Sequence, residues 1–191
     1  MTTSTSNVSL ERRAWNIRRH AIRMGEVQGQ GYIAQALDIA DVLATAYFHA
    51  MRYETQNPEW EGRDRFLLSN GHYAIALYAA LIEAGIVPED ELETYGFDDS
   101  RLPMSGMAAY TPGMEMSGGS LGLGLSIAVG KCLGLKRKGS DSRVYTLFSD
   151  GEHIGDVEGL GDVALALDLA HQHRVAADAI GALRQFLVVA G

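Results

Sequence analysis

Arg143 to Glu152 read RVYTLFSDGE, a short run of β-branched and aromatic residues that ends in Ser-Asp-Gly. The run is apolar on both faces and is bounded by turn residues, which favours a buried strand of a parallel sheet. At the carboxyl end of such a strand, Asp150 would face the crevice where open α/β sheets bind ligands. Its carboxylate suits a hard cation such as Mg²⁺ or Ca²⁺, and Gly151 lets a phosphate or metal come close. The alternative is an ordinary Asp-Gly turn, which the tripeptide taken alone favours.

Charge and cysteine content exclude several classes of function. A net charge of −8 over 191 residues argues against nucleic acid or an anionic membrane as the main partner. No apolar run is long enough to cross a bilayer, and the polar N-terminus lacks the apolar core of a secretory signal. The single cysteine, Cys132, cannot form an internal disulfide and is interpreted as a buried small apolar residue. We therefore expect a reducing, cytoplasmic location.

The first third of the chain predicts two helices separated by a glycine-rich loop. Residues 1–8 are expected to be disordered. A helix is predicted from Ser9 to about Met24, followed by a loop from Gly25 to Leu37. The next helix begins at about Asp38, which can serve as its N-cap or as a first-turn acid. This helix, taken to Phe48, carries more apolar surface than one small domain can cover, which predicts association with another chain.

The next segment predicts a strand, a polar turn and a helix. Arg63 to Leu68 reads as a short strand that is followed by Ser-Asn-Gly-His. A helix then begins at Tyr73 and is closed by Gly85. This places His72 at a helix N-terminus, where backbone amides and an imidazole can bind an anion. The alternative is a histidine that caps the helix or packs locally.

A second glycine-rich segment precedes the decisive strand. Residues 97–118 show no regular periodicity and predict a long ordered loop, which in a compact domain is often functional. Residues 117–124, SGGSLGLG, then open a helix from about Gly122 to Lys136. Such a glycine run can lay backbone amides against a diphosphate. It lacks the Lys-Ser/Thr ending of a P-loop and does not follow a strand, so neither nucleotide motif is supported. The helix also carries excess apolar surface, like that after Asp38.

The order of these motifs resembles the N-terminal, diphosphate-binding half of the transketolase family. Four segments carry the resemblance: RDRFLLSNGHYAIALYAALIEAG, RLPMSG, TPGMEMSGGSLGLGLSIAVG and RVYTLFSDGE. It covers about residues 8–152 and is most similar to the split form, in which this half is a separate subunit. The resemblance implies thiamine diphosphate held through Mg²⁺ between this domain and a pyrimidine-binding partner domain. It also implies transfer of a two-carbon ketol unit between sugar phosphates.

The resemblance implies roles for particular residues. His72 matches the family histidine near the thiazolium and the diphosphate, which makes it the candidate catalytic residue. Asp150 matches the metal ligand of the family's Asp-Gly pair. The full set of implied cofactor-binding residues is His72, Gly119, Ser120, Leu121, Asp150, Gly151 and Glu152.

Three positions depart from the family pattern. Tyr32 stands in place of a substrate-contacting histidine in the first loop, and Ser105 replaces another. Leu123 stands where the family often has Gln. The sequence therefore leaves the donor and acceptor sugars open.

The segment after Glu152 departs most strongly. Residues 153–191 contain no Lys, Asn, Ser, Thr, Pro, Tyr or Trp, and Gly155 stands where the family has a glutamate. The family's second metal ligand, an Asn, would fall near Ile180. Our hypothesis is a shift of reading frame just after Glu152, which would give an aberrant, truncated tail. The alternative is a genuinely diverged terminus.

The fold prediction is an α/β domain over residues 9–152, with a parallel sheet flanked by helices on both faces and an incomplete C-terminal side. The atypical tail, residues 153–191, patterns as a helix from Val157 to His171 and then a helix or strand to Val189.

The leading function is the N-terminal subunit of a thiamine-diphosphate-dependent transketolase that is impaired by its tail. It would act on sugar phosphates with a C-terminal pyrimidine-binding subunit, in a homo- or hetero-oligomer. One alternative is a non-catalytic remnant that binds a partner. The other is a subunit of a different thiamine enzyme, such as a dehydrogenase or a 1-deoxyxylulose-phosphate synthase.

Overall fold

The computed structural model describes residues 8–149, Glu152 and the backbone of residues 186–189. The helices and strands in these parts of the chain are α1 Leu10–Gln28, α2 Ile33–Asp38, α3 Ala40–Thr45, β1 Arg65–Leu68, α4 Ala74–Glu83, α5 Leu123–Arg137, β2 Val144–Leu147 and β3 Phe186–Val189. Helices precede β1 and also separate β1 from β2, the arrangement of an α/β domain. Short turns of other helical types cover Ala46–Ala50, Gly71–Tyr73 and Glu89–Thr94.

The three strands form one sheet in the order β1-β2-β3. β1 and β2 are parallel, with Phe66 opposite Tyr145. Their connection passes through α4 and α5, the kind of crossover that parallel strands need. The prediction of an α/β fold with a parallel sheet is confirmed. β3 pairs with β2 in the antiparallel direction, in a segment where the sequence left helix and strand open.

Helices cover both faces of the sheet. Successive residues of a strand point to opposite sides, so neighbouring residues of β1 pack against different helices. Phe66 and Leu68 pack into the larger core with α1, α3 and α4. Leu67 points the other way and packs in a second cluster with Ala128 and Cys132 of α5. The prediction that Cys132 is buried is confirmed. α4 is buried from Ala74 to Ile82, as expected for a helix that is apolar all round.

The predicted boundaries in the first third of the chain are wrong. α1 runs past Met24 to Gln28 and is closed by Gly29 in the left-handed conformation. It continues because Met24 is buried and Val27 packs against the core, which outweighs the cost of about 1 kcal/mol for Gly25 inside a helix. The predicted loop therefore contains the end of α1 and nearly all of α2. Asp38 ends α2 and caps no helix.

The sequence predicted excess apolar surface on the helix after Asp38 and on the helix that is now α5, and the structure shows it only on α5. Val42, Leu43 and Tyr47 are buried, so the prediction for the helix after Asp38 is wrong. On α5, by contrast, Leu123 and Leu133 are 51% and 61% exposed.

Several predictions concern segments outside the described residues. They include the disordered N-terminus up to residue 7, Asp150, Gly151 and the tail helix from Val157 to His171. Across the helices that the structure does describe, none combines the length and the apolar character needed to cross a membrane.

Candidate cofactor-binding site

Three chain segments meet where β1 and β2 end. The two strands are parallel and in register, with Leu68 opposite Leu147, so their carboxyl ends lie side by side. The chain leaves β1 through residues 69–73 and leaves β2 through residues 148–152. The glycine-rich residues 117–124 reach the same edge of the sheet before α5 begins. We refer to these three segments together as the strand-end site.

The buried carboxylate of Glu152 joins the three segments. Its Oε1 accepts hydrogen bonds from the hydroxyl of Ser69 at 2.5 Å and from the amide of Gly122 at 3.0 Å. Its Oε2 accepts from the amide of Ser149 at 2.8 Å. The Ser69 hydroxyl accepts in turn from the amide of Gly124 at 3.2 Å. Glu152 is 1% exposed, so these protein donors satisfy a charge that would otherwise be costly to bury.

Glycines allow the loop before α5 to pack against the exit of β1. A Cβ atom on Gly118 would lie 2.1 Å from the Cα of Gly71, a separation that no side chain tolerates. The amide of Gly118 donates to Gly106, and the amide of Gly106 donates to Gly71, both at 2.9 Å. A Cβ on Gly124 would likewise lie 2.4 Å from that of Ser69. The segments therefore meet backbone against backbone.

His72 lies on the rim of the site, in the turn directly before α4. Its half-buried ring meets Tyr73 edge-on, with 4.4 Å between ring centroids, and meets Tyr32 edge-on at 4.8 Å. Tyr32 is 48% exposed. The imidazole thus borders an aromatic side chain that is open to solvent, and it directly follows Gly71, which packs against Gly118 of the glycine loop.

The loop from Gly119 to Leu121 fits a diphosphate group. All three residues are exposed, and nothing lies within 4 Å of the position that a Cβ on Gly119 would take. α5 follows directly and has 15 residues, so its first-turn amides carry the positive end of a long helix dipole. Beside the loop, the side-chain oxygen Oδ1 of buried Asn70 has no hydrogen-bond partner among the described residues. A buried acceptor of this kind calls for a donor or a cation.

Asp150, the metal ligand that the sequence analysis predicted, lies outside the described part of the chain. The described residues contain no group of three or more His, Cys, Asp or Glu side chains that could hold a metal. The strand-end segments contain no Lys or Arg, but they carry Asp150 and Glu152. A diphosphate bound there would add further negative charge, so a cation is needed to offset it.

The structure brings several of the residues predicted from sequence to one place. His72, Glu152 and the loop from Gly119 to Leu121 all lie at the strand-end site, whereas Asp150 and Gly151 are outside the described residues. The sequence analysis missed Ser69 and Asn70 as functional candidates. Both directly follow a strand that was predicted correctly in position. Polar side chains at the carboxyl end of a parallel strand are the signal that would have found them.

The fold and the strand-end site define an α/β domain with a glycine-lined site for a phosphorylated cofactor. Residues 11–155 match the transketolase thiamine diphosphate binding domain. The chain belongs to the transketolase family.

Characterised and uncharacterised relatives agree with this assignment. An uncharacterised transketolase family protein of Sinorhizobium fredii is 81% identical over 146 residues, 76% of this chain and 52% of that protein. One subunit of a 6-deoxy-6-sulfo-D-fructose transketolase from a Clostridium species is 37% identical over 78% of this chain and 54% of its own length. An apulose-4-phosphate transketolase subunit from Actinobacillus succinogenes is 37% identical, over 75% and 52%. The chain thus spans about half the length of these relatives.

Solved transketolases share the fold. The enzyme from Leishmania mexicana superposes with a TM-score of 0.73 at 32% identity, over 85% of this chain and 26% of that one. The enzyme from Campylobacter jejuni superposes with a TM-score of 0.76 at 26% identity, over 84% and 26%.

Proposed function

We propose that this chain is the diphosphate-binding subunit of a split transketolase. With a pyrimidine-binding partner subunit, it would transfer a two-carbon ketol unit between sugar phosphates. The observation that carries the proposal is the strand-end site, where the exposed loop from Gly119 to Leu121 leads into α5 and His72 lies in the turn before α4. Two relatives named as transketolase subunits support a division of the enzyme between chains.

The chain's own residues would bind and orient the cofactor. Thiamine diphosphate supplies the carbanion chemistry of ketol transfer when it is bound. Amides of Gly119 to Leu121 would donate to the diphosphate oxygens, as at other helix N-termini. The imidazole of His72 would donate to the diphosphate from the rim and limit the access of water. Fixing the cofactor in one orientation is the largest contribution that such a domain can make to the rate.

We propose Mg²⁺ as the cation of the site, with Asp150 as its protein ligand. The sequence of the strand-end segments includes Asp150 and Glu152 but no Lys or Arg, and a diphosphate would add further negative charge. The carboxylate of Glu152 is already occupied by protein donors, so it is not proposed as a ligand. Mg²⁺ accepts carboxylate and phosphate oxygens together, which suits the remaining groups.

The exposed face of α5 supports a partner subunit. Leu123 and Leu133 of α5 are more than half exposed. Apolar side chains of this size on one helix favour burial against another chain. We therefore propose that α5 contributes to the subunit contact, and we expect light scattering to show self-association when the partner is absent. A stable, monodisperse monomer would contradict this proposal.

We also infer that residues 153–191 are not the family's own continuation, which favours an impaired subunit or a non-catalytic remnant. The family match ends at residue 155, close to the position proposed for the shift of reading frame. The nucleotide sequence across codons 150–195 tests this inference. We expect another frame to restore the Trp-Glu-Ala segment and a downstream Asn. If neither other frame does so, the shift is wrong and the terminus has diverged.

The central experiment combines the chain with a candidate pyrimidine-binding subunit, which is to be sought among the neighbouring genes. Two-carbon transfer is assayed with donor and acceptor sugar phosphates, thiamine diphosphate and Mg²⁺. The chain is tested alone, with the partner, and with the partner after the tail has been replaced by the restored frame. We expect turnover only with the partner, and most with the restored tail.

Two variants show whether that activity uses the proposed site. His72→Ala should lower it, whereas Gln56→Ala, at an exposed position before β1 and outside both the strand-end site and α5, should leave it unchanged. Turnover by the chain alone would refute the split-subunit proposal. No turnover with any partner and tail combination would refute the transketolase activity.

A further inference from the structure

Glu152 makes its contacts in three parts of the chain that are far apart in sequence. Its carboxylate accepts from Ser69 after β1, from Gly122 before α5 and from Ser149 after β2. The first two donors are 83 and 30 residues away along the chain. These bonds can therefore form only when both strands and α5 are in place. They also leave the carboxylate directed toward the protein rather than toward the open loop.

The contacts of Glu152 replace the missing hydrogen bonds at the start of α5. The first amides of any α-helix have no partner within the helix. In α5 there is no side-chain cap from Gly122 itself. Instead, the amide of Gly122 donates to Glu152, and the amide of Gly124 donates to Ser69. The N-terminus of α5 is thus capped from two other segments of the chain.

We propose that Glu152 is a positioning residue that, together with Ser69, clamps the start of α5 to the ends of β1 and β2. This clamp holds the loop from Gly119 to Leu121 in the open conformation that receives a diphosphate. The inference rests on the proposed function for the identity of the ligand. The clamp itself is a property of the ligand-free chain and can be tested without a cofactor.

A second bond ties the same two strand ends but not the helix. The side-chain amide of Asn70 donates to the hydroxyl of Ser149 at 2.9 Å. Asn70→Ala would remove this bond and leave both bonds to α5 in place. The variant therefore separates an effect on the strand ends from an effect on the glycine loop.

Amide hydrogen exchange of the full chain, without ligand, measures the clamp directly. Protection of the Gly122 and Gly124 amides reports their bonds to Glu152 and Ser69, because the helix offers them no partner. Ser69→Ala and Glu152→Gln each remove or weaken these bonds. We expect exchange in peptides covering residues 121–125 to accelerate at least about tenfold in both variants, the change expected when a charge-assisted hydrogen bond is lost.

A matched control comes from another glutamate, Glu83, which is partly buried. Glu83 accepts hydrogen bonds from Arg13 and Asn16, within the contact between α1 and α4. Glu83→Gln should lower overall stability but leave exchange in residues 121–125 unchanged, as should Asn70→Ala. Unchanged exchange in folded Ser69→Ala would overturn the clamp, and so would equal acceleration in Glu83→Gln. If Glu152→Gln does not fold, Ser69→Ala decides the question.

Pyrophosphate with Mg²⁺ connects the clamp to its ligand, at concentrations high enough to fill a site weakened by the missing metal ligand. We expect it to slow exchange at Gly119 to Leu121 in the wild type and in Glu83→Gln, and to do so less in Ser69→Ala. An equal response in Ser69→Ala would show that the clamp does not serve the anion site. No response in the wild type would count against the proposed cofactor site, while the ligand-free measurement would still decide whether the clamp exists.

Discussion

Replacing Gly118 by Ala would force apart the two backbones that form the floor of the strand-end site. The new Cβ would lie 2.1 Å from the Cα of Gly71, whereas carbon atoms in contact are about 3.5–4.0 Å apart. One backbone must therefore move by roughly 1.4 Å or more. Gly118 does not have a positive φ, so the backbone conformation itself would accept alanine. The effect of the substitution is thus steric.

The cost follows from the bonds that this movement strains. The amides of Gly118 and Gly106 each donate a 2.9 Å hydrogen bond that ties the loop to Gly71. Two such bonds contribute about 2 kcal/mol, and overpacking adds about 1–3 kcal/mol. We expect the free energy of unfolding to fall by about 3–5 kcal/mol. For a chain of this length, that lowers Tm by on the order of 10 °C.

Gly119→Ala is the matched control, one residue along the same loop. Nothing lies within 4 Å of its added Cβ, so we expect its Tm to stay within about 2 °C of the wild type. Thermal and urea unfolding, followed by far-UV circular dichroism, measure both variants. Equal stability of the two alanine variants would refute the argument that close backbone packing shapes the site.

Other substitutions and reactions test the rest of the structure. Asp64→Asn should lower the free energy of unfolding by about 2–3 kcal/mol in urea titrations, because the buried carboxylate accepts from the backbone amides of Arg52 and Arg143; a loss below about 0.5 kcal/mol would contradict this. Burial raises the pKa of the Cys132 thiol to about 11. At pH 8 only about one thiol in a thousand is then ionised, so iodoacetamide should react slowly with Cys132 in the native chain. The reaction should become faster as the pH rises and rapid in urea. A rapid reaction of the native chain at pH 8 would show that α5 is not docked on the sheet. The family's second metal ligand, an Asn expected near Ile180, is missing, and loss of a metal ligand weakens binding at least about 10–100-fold. Calorimetry with Mg²⁺ should therefore show weak or undetectable binding of thiamine diphosphate, with little affinity left for Asp150→Ala to remove. Micromolar binding that Asp150→Ala abolishes would instead mean that the tail supplies a ligand.

Local patterns predicted most of the elements around the site. The strands at residues 63–68 and 144–148 and the helix at 122–136 were placed within two residues of their observed bounds. Each of the two strands is a short apolar run between turn residues, and the helix follows a run of glycines. The residues that predict these elements therefore lie within a few neighbouring positions. The continuation of α1 past Gly25 was missed because packing of Met24 and Val27 on the core overrides the local preference of glycine.

The sequence by itself determined the fold class and the order of its motifs, and its resemblance to the transketolase family supplied the candidate residues for a diphosphate. Periodicity and turn residues act over a few positions, and they are enough to specify strands, helices and the glycine loop. Only the tertiary structure decided what Glu152 does, because its partners Ser69 and Gly122 are brought to it by the pairing of β1 with β2 and the docking of α5. The same holds for Gly71 and Gly118, whose contact depends on two loops meeting at one edge of the sheet. A hydrogen bond or a steric contact between distant residues leaves no periodic trace in the sequence, since it arises only once the sheet has formed.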